Sequence, residues 1–170
     1  MGEVICFYSC RGQYACFSNF YRHEPFIFHF PSMFFDCDPI EVDFSEKALM
    51  ACKAAFFCDH ESYTKIINAK TPSECKKLGR RVKKFDEQTW SEFREFFAFE
   101  ILKCKFKSNV DMMNILLSTG KNILAEASAT DRIWGIGLSE SDPRAYNPDQ
   151  WKGTNLLGKI LMRVRDECFQ

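Results

Sequence analysis

The 170 residues carry 23 basic and 23 acidic side chains, so the formal net charge is zero. That balance excludes avid, charge-driven binding along a nucleic-acid backbone, which needs a basic surface, but leaves room for a small ligand or one extruded base. Hydrophobic content of 46% and charged content of 27% describe a soluble globular chain able to bury a sizeable core, and residues 1–170 read as a single domain. The 18 phenylalanines supply much of that core and can wall a planar ligand.

The nine cysteines are odd in number, form no C-x-x-C pair, and stand beside only three histidines, so no zinc spacing emerges. They read as free, mostly buried thiols in a reducing compartment. Met1-Gly2-Glu3-Val4 reads as no secretory leader, and no apolar run reaches the roughly 20 residues that span a bilayer. The expectation is an intracellular protein, cytoplasmic or nuclear, off the membrane.

In chain order, Val4–Tyr8, Phe26–Phe30 and Ile40–Phe44 read as short strands, separated by Gly12, Pro25, Pro31 and Pro39. From Ser45 the pattern turns helical. One helix is predicted over Ser45–Cys58 and another over Glu61–Ala69. Thr71-Pro72-Ser73-Glu74 is a capping box with proline at the first helical position, and Gly79 is its stop. A long helix over Glu87–Lys107 places Trp90, Phe93, Phe97, Ile101 and Cys104 on one core-facing stripe. Asn109 caps a shorter helix ending at Gly120, Ile123–Ala127 reads as a brief strand, and Asn155 caps a last helix with an apolar face from Leu156 to Cys168. The fold class is helix-dominated α+β. No β-α-β alternation or phosphate-binding glycine loop points to a doubly wound nucleotide fold.

Lys53 is the single charge in the run from Ala48 to Phe57. Glu46, seven residues earlier, returns to nearly the same helix angle. Two readings stand side by side. A lysine forced among apolar groups loses hydration, its pKa falls, and its neutral amine becomes a nucleophile with Glu46 as proton-handling partner. Alternatively its stem lies over the core and its ammonium stays in water. Three loop segments, 11–20, 126–137 and 151–155, combine polar, aromatic and glycine residues in the manner of ligand sites, and the helix start at Asn155 offers N–H groups suited to a phosphate. Glu126 and Asp131 could join Glu46 in a carboxylate set for glycosidic chemistry, and Arg80 could hold a phosphate. Each also has a plain structural reading: turn caps at Ser18 and Asn19, a core Trp134, a solvated basic face around Arg80. The three histidines read as bystanders.

Several pieces in order resemble the NADAR domain, also called YbiA-like. They are Phe17-Ser18-Asn19-Phe20, Ser45-Glu46-Lys47-Ala48 running to Lys53-Ala54, Leu78-Gly79-Arg80, then Trp90 and Arg94, Lys105-Phe106 and Thr119-Gly120. Leu124-Ala125-Glu126-Ala127-Ser128 leads on to Asp131, Trp134-Gly135-Ile136-Gly137-Leu138, Trp151 through Gly158, and Leu161-Met162-Arg163-Val164-Arg165. The resemblance implies the YbiA-like fold and N-glycosidase activity: cleavage of a ribose–nitrogen bond, foremost removal of ADP-ribose from guanine in a nucleotide, DNA or RNA. Cleavage of early riboflavin-pathway intermediates is the second implied activity; a non-catalytic ADP-ribose reader is a competing reading, against which the presence of Glu46, Lys53 and Asp131 argues. The resemblance further implies Lys53 as the imine-forming nucleophile and Glu46 and Asp131 as acid–base groups. Substrate would be bound by Arg11, Gly12, Ser18, Asn19, Phe20, Arg80, Trp90, Glu126, Trp134, Gly135, Trp151 and Asn155. No cofactor, metal or membrane is implied, and a monomer is expected. Two departures touch substrate choice: Lys47 after Glu46, and Phe34-Phe35-Asp36-Cys37-Asp38 before the third strand.

Overall fold

A computed structural model describes residues 2–168. The elements run β1 (Val4–Phe7), β2 (Phe26–Phe28), β3 (Ile40–Val42), α1 (Ser45–Phe56), α2 (His60–Asn68), α3 (Pro72–Gly79), α4 (Glu87–Lys107), α5 (Val110–Ser118), β4 (Ile123–Glu126) and α6 (Leu156–Cys168). Short 3-10 turns cover Ala15–Phe17, Pro143–Tyr146 and Pro148–Gln150. The architecture is the helix-dominated α+β fold expected from the sequence.

The chain gathers into two compact units, Asn19–Ser108 and Met1–Ser18 with Asn109–Gln170, a division that no linker announces in the sequence. In Asn19–Ser108, β2 and β3 pair antiparallel, with Phe26 opposite Val42 and Phe28 opposite Ile40. Those four face the core while Ile27 and Glu41 face out, the alternation of a half-buried ribbon. Helix α1 is the hub, packed against α2, α3 and α4. Its Ala48, Ala51, Cys52 and Ala54 are fully buried, small residues that let neighbouring helices approach closely.

The predicted end of α1 at Cys58 falls two residues earlier. Cys58 takes φ +55°, its N–H donates to Ala55 O, and the Asp59 N–H reaches Ala54 O. This is a Schellman ending built on a cysteine where glycine is usual, so the sequence offered no stop signal. The Thr71 cap is present, with Thr71 Oγ1 accepting from Glu74 N at 3.2 Å. The Glu74 carboxylate returns to Lys70 N rather than to the cap residue itself. In α4, Trp90, Phe97 and Ile101 are buried as predicted, while Phe93 and Cys104 are only half-buried. Ala98, Phe99, Leu102, Lys105 and Phe106 are buried as well, so α4 is covered over far more than one stripe.

In the other unit, β1 and β4 pair parallel, Val4 opposite Ile123 through Phe7 opposite Glu126. Helix α6 lies on β4, so closely that a Cβ added at Gly158 would stand 2.1 Å from Leu124 O. Arg165, only 4% exposed, ties α6 to the α5–β4 turn through Nη1 bonds to Thr119 Oγ1 and Asn122 O, both 2.9 Å. The thiols are all free, but only Cys16, Cys52 and Cys75 are buried, correcting the expectation that most would be.

Candidate active site

Of the residues expected to bind or react, Asn19, Phe20, Glu46, Lys53, Arg80 and Trp90 belong to the unit Asn19–Ser108. Lys53 is 9% exposed and Glu46 5%. Little of either residue reaches solvent, the desolvation that the first of the two readings calls for. Asn19 is joined to the pair through the backbone: its carbonyl accepts the Glu46 N–H at 2.9 Å, one of the N–H groups that every helix start leaves without an intrahelical partner.

The Lys53 amine lies 3.7 Å from the ring centroid of Phe85. Burial pushes its pKa below the ordinary lysine range; the Glu87 and Glu46 carboxylates pull it back up and the Arg94 guanidinium pushes it down again. Arg94 and Glu87 themselves pair at 2.8 Å on the first two turns of α4. Desolvation dominating over two carboxylates is the condition an amine nucleophile requires. Trp90, expected as a substrate contact, is 4% exposed and stacked on Phe97 at 5.7 Å, beside Phe56 and Phe57. It is a wall behind the lysine helix. Arg80 ends α3 exposed to solvent, and the Phe20 ring carries the Lys76 amine at 5.3 Å. Of the two departures, Lys47 pairs with Asp43 at 2.9 Å, while Phe34 and Phe35 join the aromatic cluster at Phe97.

Phe85 went unmarked in the sequence. The turn that carries it is fixed at both ends. On one side the buried Asp59 carboxylate accepts Lys83 N at 2.8 Å and Ser62 N at 3.1 Å. On the other, Asp86 caps α4 by accepting Thr89 N at 2.7 Å. Between them Lys84 adopts φ +56°. A left-handed non-glycine residue costs about 1 kcal/mol, so this backbone persists only because its surroundings impose it.

The other unit holds Arg11, Gly12, Ser18, Glu126, Asp131, Trp134, Gly135, Trp151 and Asn155. Asp131 organises its own loop: Oδ1 accepts Ile133 N at 2.9 Å and Trp134 N at 2.8 Å, and its N–H donates to Ser128 Oγ at 3.2 Å. Gly135 is buried where a Cβ would meet Glu126 O at 2.9 Å. Trp151 packs on the apolar cluster of Ala125, Ala127, Ile136, Leu138 and Ala145 and donates Nε1–H to Ala145 O at 2.8 Å. Trp134 and Glu126 are half-buried, Ser18 is 8% exposed, and Arg11 and Gly12 lie on the surface with Gly12 at φ +79°. A cavity of about 490 Å³ opens beside Tyr8, Ala127, Thr130, Ser139, Glu140 and Ser141, at the carboxyl ends of β1 and β4. The sequence reading marked only its Ala127–Thr130 side.

Asn155 is corrected as a cap and as a phosphate cradle. It takes φ +52°, and its side chain turns back onto β4: Nδ2 donates to Leu124 O at 2.8 Å and Oδ1 accepts Glu126 N at 3.0 Å. The first N–H groups of α6 are already used, Asn155 by Gly135 O, Leu156 by Ile133 O and Leu157 by Trp134 O. Among the described residues no group of three or more His, Cys, Asp or Glu is placed to hold a metal ion, and no helix is long and apolar enough to cross a membrane.

A family model described as the NADAR domain matches residues 6–168, across both units, and the chain belongs to that family. It is 39% identical over 126 residues to an N-glycosidase of Acanthamoeba polyphaga mimivirus, covering 74% of each chain. It is 30% identical over 164 residues to an N-glycosidase of Nostoc punctiforme, covering 96% of this chain and 92% of that one. A chloroplastic riboflavin biosynthesis protein of Zea mays is 29% identical over 98% of this chain but only 25% of its own length. Among solved structures the E. coli protein YbiA, determined by NMR, superimposes with a TM-score of 0.73 at 27% identity, covering 99% of this chain and 87% of that one.

Proposed function

We propose that this protein is an N-glycosidase that removes ADP-ribose from guanine in a nucleotide, DNA or RNA. The observation that carries the reading is Lys53, a buried amine with its pKa depressed by desolvation, on the same helix as the buried carboxylate Glu46. Relatives named N-glycosidase supply the reaction class. The Lys53 amine adds at the anomeric carbon of the ribose, and the carbon–nitrogen bond to the base breaks as a proton is delivered to the leaving nitrogen. The added amine gives up a proton, and the bond from the anomeric carbon to the ring oxygen then opens, the oxygen taking a proton, to leave the protonated imine of the opened sugar. Water then hydrolyses the imine, returning the sugar and the free amine. Glu46 and Asp131 are the proposed proton-handling groups. Glu46 serves at the sugar, because a tight ion pair with Lys53 would keep the amine charged.

A riboflavin-pathway N-glycosidase is the second reading, favoured by the relatives named for riboflavin biosynthesis. It uses the same bond type with a different leaving base. The test is side-by-side incubation with ADP-ribosylated guanosine and with ribosylated riboflavin intermediates, followed by mass analysis. Release of ADP-ribose supports the first reading. Release from the riboflavin intermediates alone replaces it with the second, and release from neither rules out both. Borohydride added during turnover is expected to leave substrate-derived mass on Lys53.

A further inference from the structure

We propose that Phe85 is a positioning residue for Lys53, its ring face seating the side-chain amine at the place from which the amine attacks. A lysine amine rides on four rotatable carbons, and burial of the stem alone does not choose among their rotamers. A ring centroid 3.7 Å from Nζ does choose, because the electron-rich face attracts an ammonium and gives it one preferred seat. The ring is itself braced. Phe57, four residues after Lys53 on the same helix face, meets Phe85 edge-on at 5.4 Å. The turn beneath it is pinned by Asp59 at Lys83 and by the Asp86 cap, with Lys84 held left-handed between them.

Three features would be superfluous in an ordinary surface turn. Phe85 is 39% exposed, so its ring is poorly used as core filling. The residue before it adopts a conformation that glycine would take more readily, yet is a lysine. A buried carboxylate, Asp59, caps the start of α2 with one oxygen and spends the other on the turn's backbone. A strained backbone beside a reactive group marks a place where geometry is imposed for use. The seat also balances the charge state. Burial disfavours the charged form of the amine. The ring, with Glu46 on α1 and Glu87 on α4, favours the proton, and Arg94 on α4 opposes it. A lowered pKa favours attack as the neutral amine, and the groups that favour the proton help the same nitrogen leave as an ammonium.

The catalytic consequence rests on the N-glycosidase reading, so the test has an arm that needs no substrate. In protein labelled with ¹³C at lysine Cε, the Lys53 signal, assigned by its loss in Lys53→Arg, is titrated by NMR in wild type, Phe85→Leu, Phe85→Trp and Lys84→Gly. Leucine keeps apolar bulk but has no π face. Phe85→Leu is expected to lower the Lys53 pKa by roughly half a unit or more, while Phe85→Trp restores it. Lys84→Gly, which relieves the backbone but frees the turn, is expected to broaden or shift the signal without lowering the melting temperature. With substrate, the acid limb of the kcat profile should follow the NMR shift in Phe85→Leu, with kcat lowered more than KM is raised. An unchanged Lys53 titration in folded Phe85→Leu overturns the proposal, whatever the enzyme does. A shifted titration in a protein that cleaves neither substrate keeps the seat and discards the N-glycosidase reading.

Discussion

Around Lys53, position is held by side chains: Phe56, Phe57, Phe85, Trp90 and Phe97 pack ring against ring. Around Asp131, position is held by backbone. The carbonyls of Ile133, Trp134 and Gly135 take the first N–H groups of α6, Ile136 N returns to Glu126 O, and Asp131 itself gathers two more N–H groups. The core there sets Ala125, Ala127 and Ala145, small enough to let strands and turns touch, beside Ile136 and Leu138. Packing around the lysine gives desolvation, which an amine nucleophile needs. A hydrogen-bonded loop gives fixed polar groups, which recognition needs. The two kinds of construction should also fail differently.

The largest expected effect is chemical. Lys53→Ala should lower turnover by roughly 10³-fold or more while the protein stays folded and retains ADP-ribose binding, measured by single-turnover assay beside calorimetric titration. Normal turnover by the folded variant would remove covalent capture from the account.

Next comes one substitution made in both units. At Gly158 a new Cβ meets Leu124 O at 2.1 Å, a backbone atom that cannot step aside. Gly158→Ala should cost about 3 kcal/mol in denaturant unfolding. At Gly79 the Cβ meets the Met50 side chain, Sδ at 2.0 Å, and a thioether can swing away. There the helix gain of alanine over glycine offsets the clash, and the change should stay within about 1 kcal/mol. Equal costs at the two sites would erase the contrast between backbone-fixed and side-chain-fixed construction.

Asn155→Ala should cost about 2 kcal/mol. It removes two bonds to β4 and puts alanine at φ +52°, where asparagine is better tolerated. The smallest effect is acid sensitivity at the Lys83 turn. Hydrogen bonds from Lys83 N and Ser62 N hold the Asp59 carboxyl down at about 2, against an ordinary 3.8. A carboxylate with a depressed folded-state pKa stabilises the fold above its unfolded value, and that contribution is lost as pH falls from about 4 toward 2. Urea midpoints measured between pH 5 and 2.5 should fall less steeply in Asp59→Asn than in wild type.

The sequence alone placed nearly every helix, because caps and apolar spacing are local. Thr71 with Glu74 and Asn109 with Met112 close hydrogen bonds within one turn, and a reader of the chain sees both partners at once. It also singled out Lys53, since a lone charge in an apolar run is a local fact. Its family resemblance held over the length of the chain. The Cys58 ending was invisible because a cysteine there does what glycine usually does.

What only tertiary structure decided are the meetings of residues far apart in the chain. Val4 pairs with Ile123, Asn155 spends its amide on β4 rather than on its own helix, Trp90 turns into an aromatic wall, and Phe85 comes to rest on Lys53. Periodicity fixes which face of an element is buried, but not which partner covers it. That choice is settled by close packing of the whole core, where each contact depends on all the others.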